Sequence, residues 1–243
     1  MCTVTFIPVN GKIFITSNRD EKLLRRQAIP PAIYFENCQR IIYPKDAEAG
    51  GSWIAVNERK TVAVLLNGGF VKHDSKPPYR KSRGIIFLEI IQSILPVQYF
   101  LQMDLSGIEP FTMILFDNYL HQFTWTGEIK YCRQLDPSQS YIWSSATLYD
   151  QKTVAKREQW FTDFLNKNPY PTQDEIYNFH LTTGDGDKQN DLNMNRNGLL
   201  STVSITSIEL SDHHCTMKYA DQANGNLSET AMVLAVEQFT DIL

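Results

Sequence analysis

The sequence predicts an α+β domain in which two antiparallel sheets stack face to face with helices on the outside. Three observations predict it. Hairpin signals recur along the chain, the elements run strands, two helices, strands, two helices, strands, and no Gly/Ser/Pro-rich linker divides the 243 residues. A single domain, residues 1–243, follows.

Thr3 to Val9 is β-branched and aromatic, Asn10-Gly11 is a strong two-residue hairpin signal, and Lys12 to Ser17 alternates as the return strand, which is expected to end at Asn18-Arg19-Asp20-Glu21. Gly50 to Asn57 and Thr61 to Gly69 predict a second hairpin that runs into a glycine-rich bend. Ser82 to Leu95 has apolar residues at helical spacing with Ser82 as the N-cap, and Pro96 opens a short second helix. Four strands follow, in "FTMILFD", "LHQFTW", "EIKYCRQL" and "YIWSS". Helices are expected near Lys152 to Asn166 and from Thr172, the second with Asp174 and Glu175 in its first turn. Thr182 to Gly198 reads as a polar loop, "LLSTVSITSIEL" and "HCTMKYA" as a further hairpin, and the tail from Ser228 as a helix. The helical cluster of Trp160, Phe161, Phe164 and Leu165 reads as a core face.

Composition narrows the function classes. A hydrophobic share of 42% is ample for a core, and a formal charge of −4 gives no reason to expect nucleic acid as a partner. No apolar stretch is long enough to span a bilayer and no secretory leader is visible, so a cytoplasmic protein is expected. Cys2, Cys38, Cys132 and Cys215 are widely spaced without C-x-x-C, so no metal or cofactor is expected, and the last three read as small buried hydrophobes. The oligomeric state is left open.

Cys2 differs because of its position. Once Met1 is removed, it carries a thiol and a free α-amine on one residue, and the amine can act as base for the thiol. The reference pKa values of about 7.7–8.0 for the amine and about 8.5 for the thiol lie close together. An antiparallel hairpin also returns the end of its second strand beside the start of the first, within reach of Cys2. Asn18 to Glu21 occupy that end.

These motifs, in order "MC…NRDE…GGSWIAVN…LLNGG…KSRG…WSSATLY…STVSIT", resemble the NRDE family, also called the transport and Golgi organisation protein family. That family is similar to the N-terminal nucleophile (Ntn) hydrolases of the choloylglycine hydrolase and penicillin V acylase type. The resemblance implies a four-layer αββα sandwich and a cysteine amidohydrolase acting on a small, non-peptide amide. It implies Cys2 as nucleophile, with Arg19 favouring the thiolate, Asp20 (or Glu21) holding the ammonium, and Asn67 beside the oxyanion. Asn18, Glu21 and Ser145 would meet substrate. The chain departs from the pattern twice. The arginine and aspartate of the choloylglycine enzymes are separated by two residues, whereas Arg19 and Asp20 are adjacent, so either acid is open as the amine's partner. Many NRDE relatives also carry Ser-Asn where this chain has Ser144-Ser145. The alternative implied by the family is a small-molecule carrier on the same scaffold, for example for haem.

Overall fold

The computed structural model describes residues 3–235. Met1, Cys2 and the last eight residues lie outside that range. Two seven-stranded sheets form the centre. The first has the order β10-β1-β2-β12-β13-β14, with the two-residue β11 (Asn195–Arg196) on β12. Its strands are β1 (Thr3–Val9), β2 (Lys12–Lys22), β10 (Tyr141–Ser144), β12 (Leu200–Leu210), β13 (His214–Asp221) and β14 (Leu227–Val233). The second is a meander, β3 (Ile29–Glu36), β4 (Gln39–Lys45), β5 (Ile54–Asn57), β6 (Val62–Asn67), β7 (Phe111–Phe116), β8 (Leu120–Trp125) and β9 (Lys130–Leu135). Every described strand pairing is antiparallel.

Strand alternation separates two cores. Val4, Phe6 and Ile15 turn inward and join Ile42, Val64 and Ile114 of the facing sheet. Ile7 and Phe14 point outward and pack under helices α3 (Gln151–Lys167) and α4 (Gln173–Thr182), against Phe161, Ile176 and Phe179. Trp160, Phe164 and Leu165 pack at the margin of this second core. Helices α1 (Arg83–Gln92) and α2 (Pro96–Gln102) lie on the other sheet, their Phe87 and Phe100 completely buried. The layers are therefore αββα.

Local signals set most boundaries. Asn10 and Gly11 both have positive φ (50° and 75°), as a type I′ hairpin requires. Ser82 Oγ accepts the Ile85 N–H, Asp150 caps α3 through the Thr153 N–H, and Thr172 with Glu175 forms a capping box on α4. None of the described helices is long and apolar enough to cross a membrane.

Two details are added to these expectations and two expectations are corrected. The Asn18–Glu21 stretch closes β2 as expected, with Lys22 as its last residue, and it stays in the strand because both faces are covered. A hairpin over β3 and β4 turns at Asn37 and Cys38, both at positive φ. The tail from Ser228 is an edge strand paired with β13, not a helix, as far as it is described. Cys215 is buried, its thiol pushed up to about 12 by desolvation, but Cys38 and Cys132 are exposed.

Candidate functional site

The first described residue, Thr3, pairs with Asn18 of β2 on one side and Ser144 of β10 on the other. The next residues along those neighbours are Arg19 and Ser145. Cys2, which precedes Thr3 in the chain, lies outside the described residues.

Alternation divides the Asn18–Glu21 stretch between two faces. Arg19 and Glu21 look toward the facing sheet, while Asn18 and Asp20 look toward α3 and α4. Arg19 is buried; its Nη2 donates to Asp46 Oδ2 at 2.7 Å and its guanidinium lies 4.5 Å from the Trp53 ring centroid. Asp46 also accepts from Arg25 Nε at 3.0 Å and from the N–H groups of Glu48 and Ala49. Burial pushes its carboxyl up, but the Arg25 and Ala49 hydrogen bonds and the charges of Arg25 and Arg19 outweigh burial and hold it below the usual carboxylate range. Glu21 sits 3.9 Å from Arg19 and 3.7 Å from Arg25.

On the other face, Asp20 accepts hydroxyl hydrogen bonds from Tyr149 and Thr202, each at 2.6 Å. Asn18 is completely buried; its amide donates to the carbonyls of His180 and Leu192, and its Oδ1 meets His180 Nδ1. That side chain lines neither of the two cavities described below.

Asn67 ends β6, and Gly68 turns the chain at φ +85°. A Cβ on Gly68 would stand 2.8 Å from Thr147 Cγ2, so close approach as well as backbone conformation requires glycine. Ser145 Oγ donates to the Asn67 carbonyl at 2.9 Å and bonds Thr147 Oγ1 at the same distance, tying the β10 end to this bend. Asn67 is the one residue lining both cavities among the described residues. The larger, about 950 Å³, has an apolar share from Leu66, Phe70, Val71, Trp143 and Leu148. The smaller, about 380 Å³, is lined by Arg19, Glu21, Arg25 and Asp46 among others.

Thus Arg19, Glu21 and Asn67 come together on the smaller cavity, Ser145 joins through Asn67, and Asn18 and Asp20 lie beneath the helices. Sequence reading missed two residues that brace this arrangement. Arg157 of α3 is completely buried; it donates to Thr3 Oγ1 and to the carbonyls of Asn190 and Asp191. Its guanidinium lies 3.6 Å from the centroid of Tyr149, whose hydroxyl holds Asp20. The signal was present: Thr153, Arg157 and Phe161 recur at i, i+4, i+8 and form the buried face of α3.

The layers and sheets match solved Ntn hydrolases. Penicillin V acylase from Agrobacterium tumefaciens superposes with a TM-score of 0.58 at 10% identity, covering 96% of this chain and 86% of that one. A variant of conjugated bile acid hydrolase from Clostridium perfringens gives 0.56 at 11% identity, covering 98% and 100%. The Caenorhabditis elegans ortholog of N-acylethanolamine-hydrolyzing acid amidase gives 0.58 at 12% identity, covering 85% and 92%. At these identities the likeness is one of fold. A comparison with curated proteins finds no significant sequence match. Residues 1–236, however, match the family described as Transport and Golgi organisation 2. The chain belongs to that family.

Proposed function

We propose that the protein is an Ntn-type cysteine amidohydrolase that cleaves the C–N bond of a small, non-peptide amide, with Cys2 as nucleophile after removal of Met1. The observation that carries this reading is the register at the start of β1. Thr3 is opposite Asn18 and Ser144, and the residues that follow those two are Arg19 and Ser145. Arg19 and Asn67, which line the smaller cavity together, are the described groups this reaction would use.

The chemistry closes without another group. The α-amine takes the thiol proton, sulfur attacks the carbonyl carbon, and the oxyanion is stabilised by donors near Asn67. The C–N bond breaks as the leaving amine takes the proton from the ammonium. Water then adds to the thioester, the α-amine accepts its proton, and the carboxylic acid departs as the thiol re-forms. Asp20, buried and braced by Tyr149 and Thr202, is favoured over Glu21 as partner of the ammonium, because Glu21 is already beside Arg19 and Arg25.

Intact mass and timed alkylation by iodoacetamide test this in a Cys38→Ser, Cys132→Ser background, since both of those thiols are exposed. The expected result is loss of Met1, one rapidly alkylated thiol, and loss of amide turnover in Cys2→Ala. Retained Met1 in fully active protein would refute the amine as base. The larger cavity favours a second reading, an apolar small-molecule carrier. A carrier would keep its ligand affinity in Cys2→Ala. Its described lining has no His, Cys or Met, so haem would lack its usual nitrogen or sulfur axial ligand there.

A further inference from the structure

The smaller cavity is rich in hydrogen-bond donors. Three guanidiniums line it, from Arg19, Arg25 and Arg83, which carry roughly fifteen N–H donors between them. Lys81 adds an ammonium, and the carboxylates on the lining are Glu21, Asp46 and Glu109. The acids are spoken for. Asp46 lies between Arg19 and Arg25, Glu109 is 3.0 Å from Arg83, and Glu21 is within 4 Å of both Arg19 and Arg25. Lys81 Nζ lies 2.7 Å from Glu89, so every cation of the lining has an acidic neighbour and the charges balance.

A second, independent feature asks for an acceptor. Trp53 lines this cavity and is only 3% exposed, and its Nε1 is buried with no hydrogen-bond partner among the described residues. An indole nitrogen can only donate, and a buried donor left unpaired costs about 1–3 kcal/mol. The N-terminus of α1 opens on the same space through Ser82, Arg83 and Gly84, adding the positive end of the helix dipole. A cationic or donor-only ligand would leave the indole unsatisfied. A monoanion with two coplanar acceptor oxygens can meet the indole N–H and suits the guanidinium fork, and where the lining's own charges balance it is less costly to bury than a dianion.

We propose that this cavity, walled by Trp53, Arg19, Arg25, Lys81 and the start of α1, is a carboxylate-binding site. It rests on the cavity's own donors and holds whether or not Cys2 reacts. The carboxylate can come from a small free acid or from the end of a longer apolar molecule that passes Asn67 into the larger cavity.

The chain has four tryptophans, so the indole N–H region of a ¹⁵N spectrum of the full-length protein is simple to follow, and Trp53→Phe assigns the relevant signal. Titration with propanoate should move the Trp53 signal saturably, while propanamide of the same shape should leave it in place. Binding followed by calorimetry should weaken roughly tenfold in Trp53→Phe, about 1.4 kcal/mol. Lys81→Gln, on the cavity rim, should weaken it roughly threefold and guards against a Trp53 variant that fails to fold. Nonanoate separates the sources: a longer ligand should move both Trp53 and Trp143, which lines the larger cavity, whereas a site for small acids alone would respond at Trp53 only. The proposal is overturned if propanoate gives no saturable change, if propanamide acts equally, or if inorganic phosphate binds more tightly than propanoate.

Discussion

His180 makes a testable statement about pH and stability. It lies on α4, completely buried against β1 and β2. Asn18 fixes its tautomer: the Asn18 amide donates to two backbone carbonyls, so Oδ1 is the atom left to face His180 Nδ1. Nδ1 therefore carries the hydrogen, and Nε2 accepts from the Thr5 hydroxyl at 2.8 Å. The neutral ring is fully satisfied. A second proton would place a charge in a site without a carboxylate partner, and burial first, then the Arg157 cation, lower the pKa to about 3.

The sign follows from linkage. In the unfolded chain the imidazole titrates near 6.5, so below that pH the unfolded state binds a proton that the folded state refuses. Stability is unaffected above about pH 6.5 and falls as pH drops from there toward 3. Between pH 6.5 and pH 5 the loss from this one group is about 2 kcal/mol. Urea denaturation of wild type and His180→Gln at several pH values isolates it, because other titrating groups are common to both proteins. The wild type should lose that much more over the interval, and its His180 ring resonances should not titrate above pH 5. Parallel stability profiles, or a His180 midpoint near 6.5, would refute the reasoning.

Three further outcomes are expected. Gly51→Ala should cost about 3 kcal/mol or more in urea denaturation, because its Cβ would fall 2.4 Å from the Gly84 carbonyl carbon, where β-sheet and α1 backbones meet. Arg157→Met should cost about 3 kcal/mol, since it strips buried carbonyls of their donor, and Arg157→Lys should recover less than half because an ammonium cannot replace the planar fork stacked on Tyr149. Tyr149→Phe should cost about 2 kcal/mol by removing a buried hydroxyl from the Asp20 carboxylate, and a shift below a few tenths in the thermal or urea midpoint analysis would mean that the contact carries little weight.

What could be read from the sequence follows from where the information is stored. The Asn10-Gly11 turn, the Ser82 and Thr172 caps and Pro96 are local devices, and each set its element where expected. The burial of the end of β2 was not local. Asn18 to Asp20 look like turn residues, yet they are buried, because a second sheet covers Arg19 and a helix layer covers Asn18 and Asp20. The tail strand has the same origin: β14 exists through its pairing with β13, which composition near Ser228 does not announce. Arg19, Glu21 and Asn67 were traceable from motif and hairpin geometry. Asp46 and Trp53 lie in the connection between β4 and β5 of the opposing sheet and reach Arg19 only when the sheets stack.

That division explains why the helical layer matters to a site built on strands. The outward face of β1 and β2 carries Thr3, Thr5, Asn18 and Asp20, polar residues that would be costly to cover without partners. α3, α4 and the segments beside them supply those partners: Arg157 to Thr3, His180 to Thr5 and Asn18, and Tyr149 to Asp20. These bonds fix Asn18 and Asp20 on either side of Arg19, and Thr3, which pairs with Asn18. The helices thus do more than shield apolar surface. They hold the register of the strand ends from behind, leaving the inner face to present Arg19 beside Asn67 and the two cavities. A substitution at Arg157 or His180, neither of which lines a cavity, should therefore be felt at the site before it is felt at the far end of the sheets.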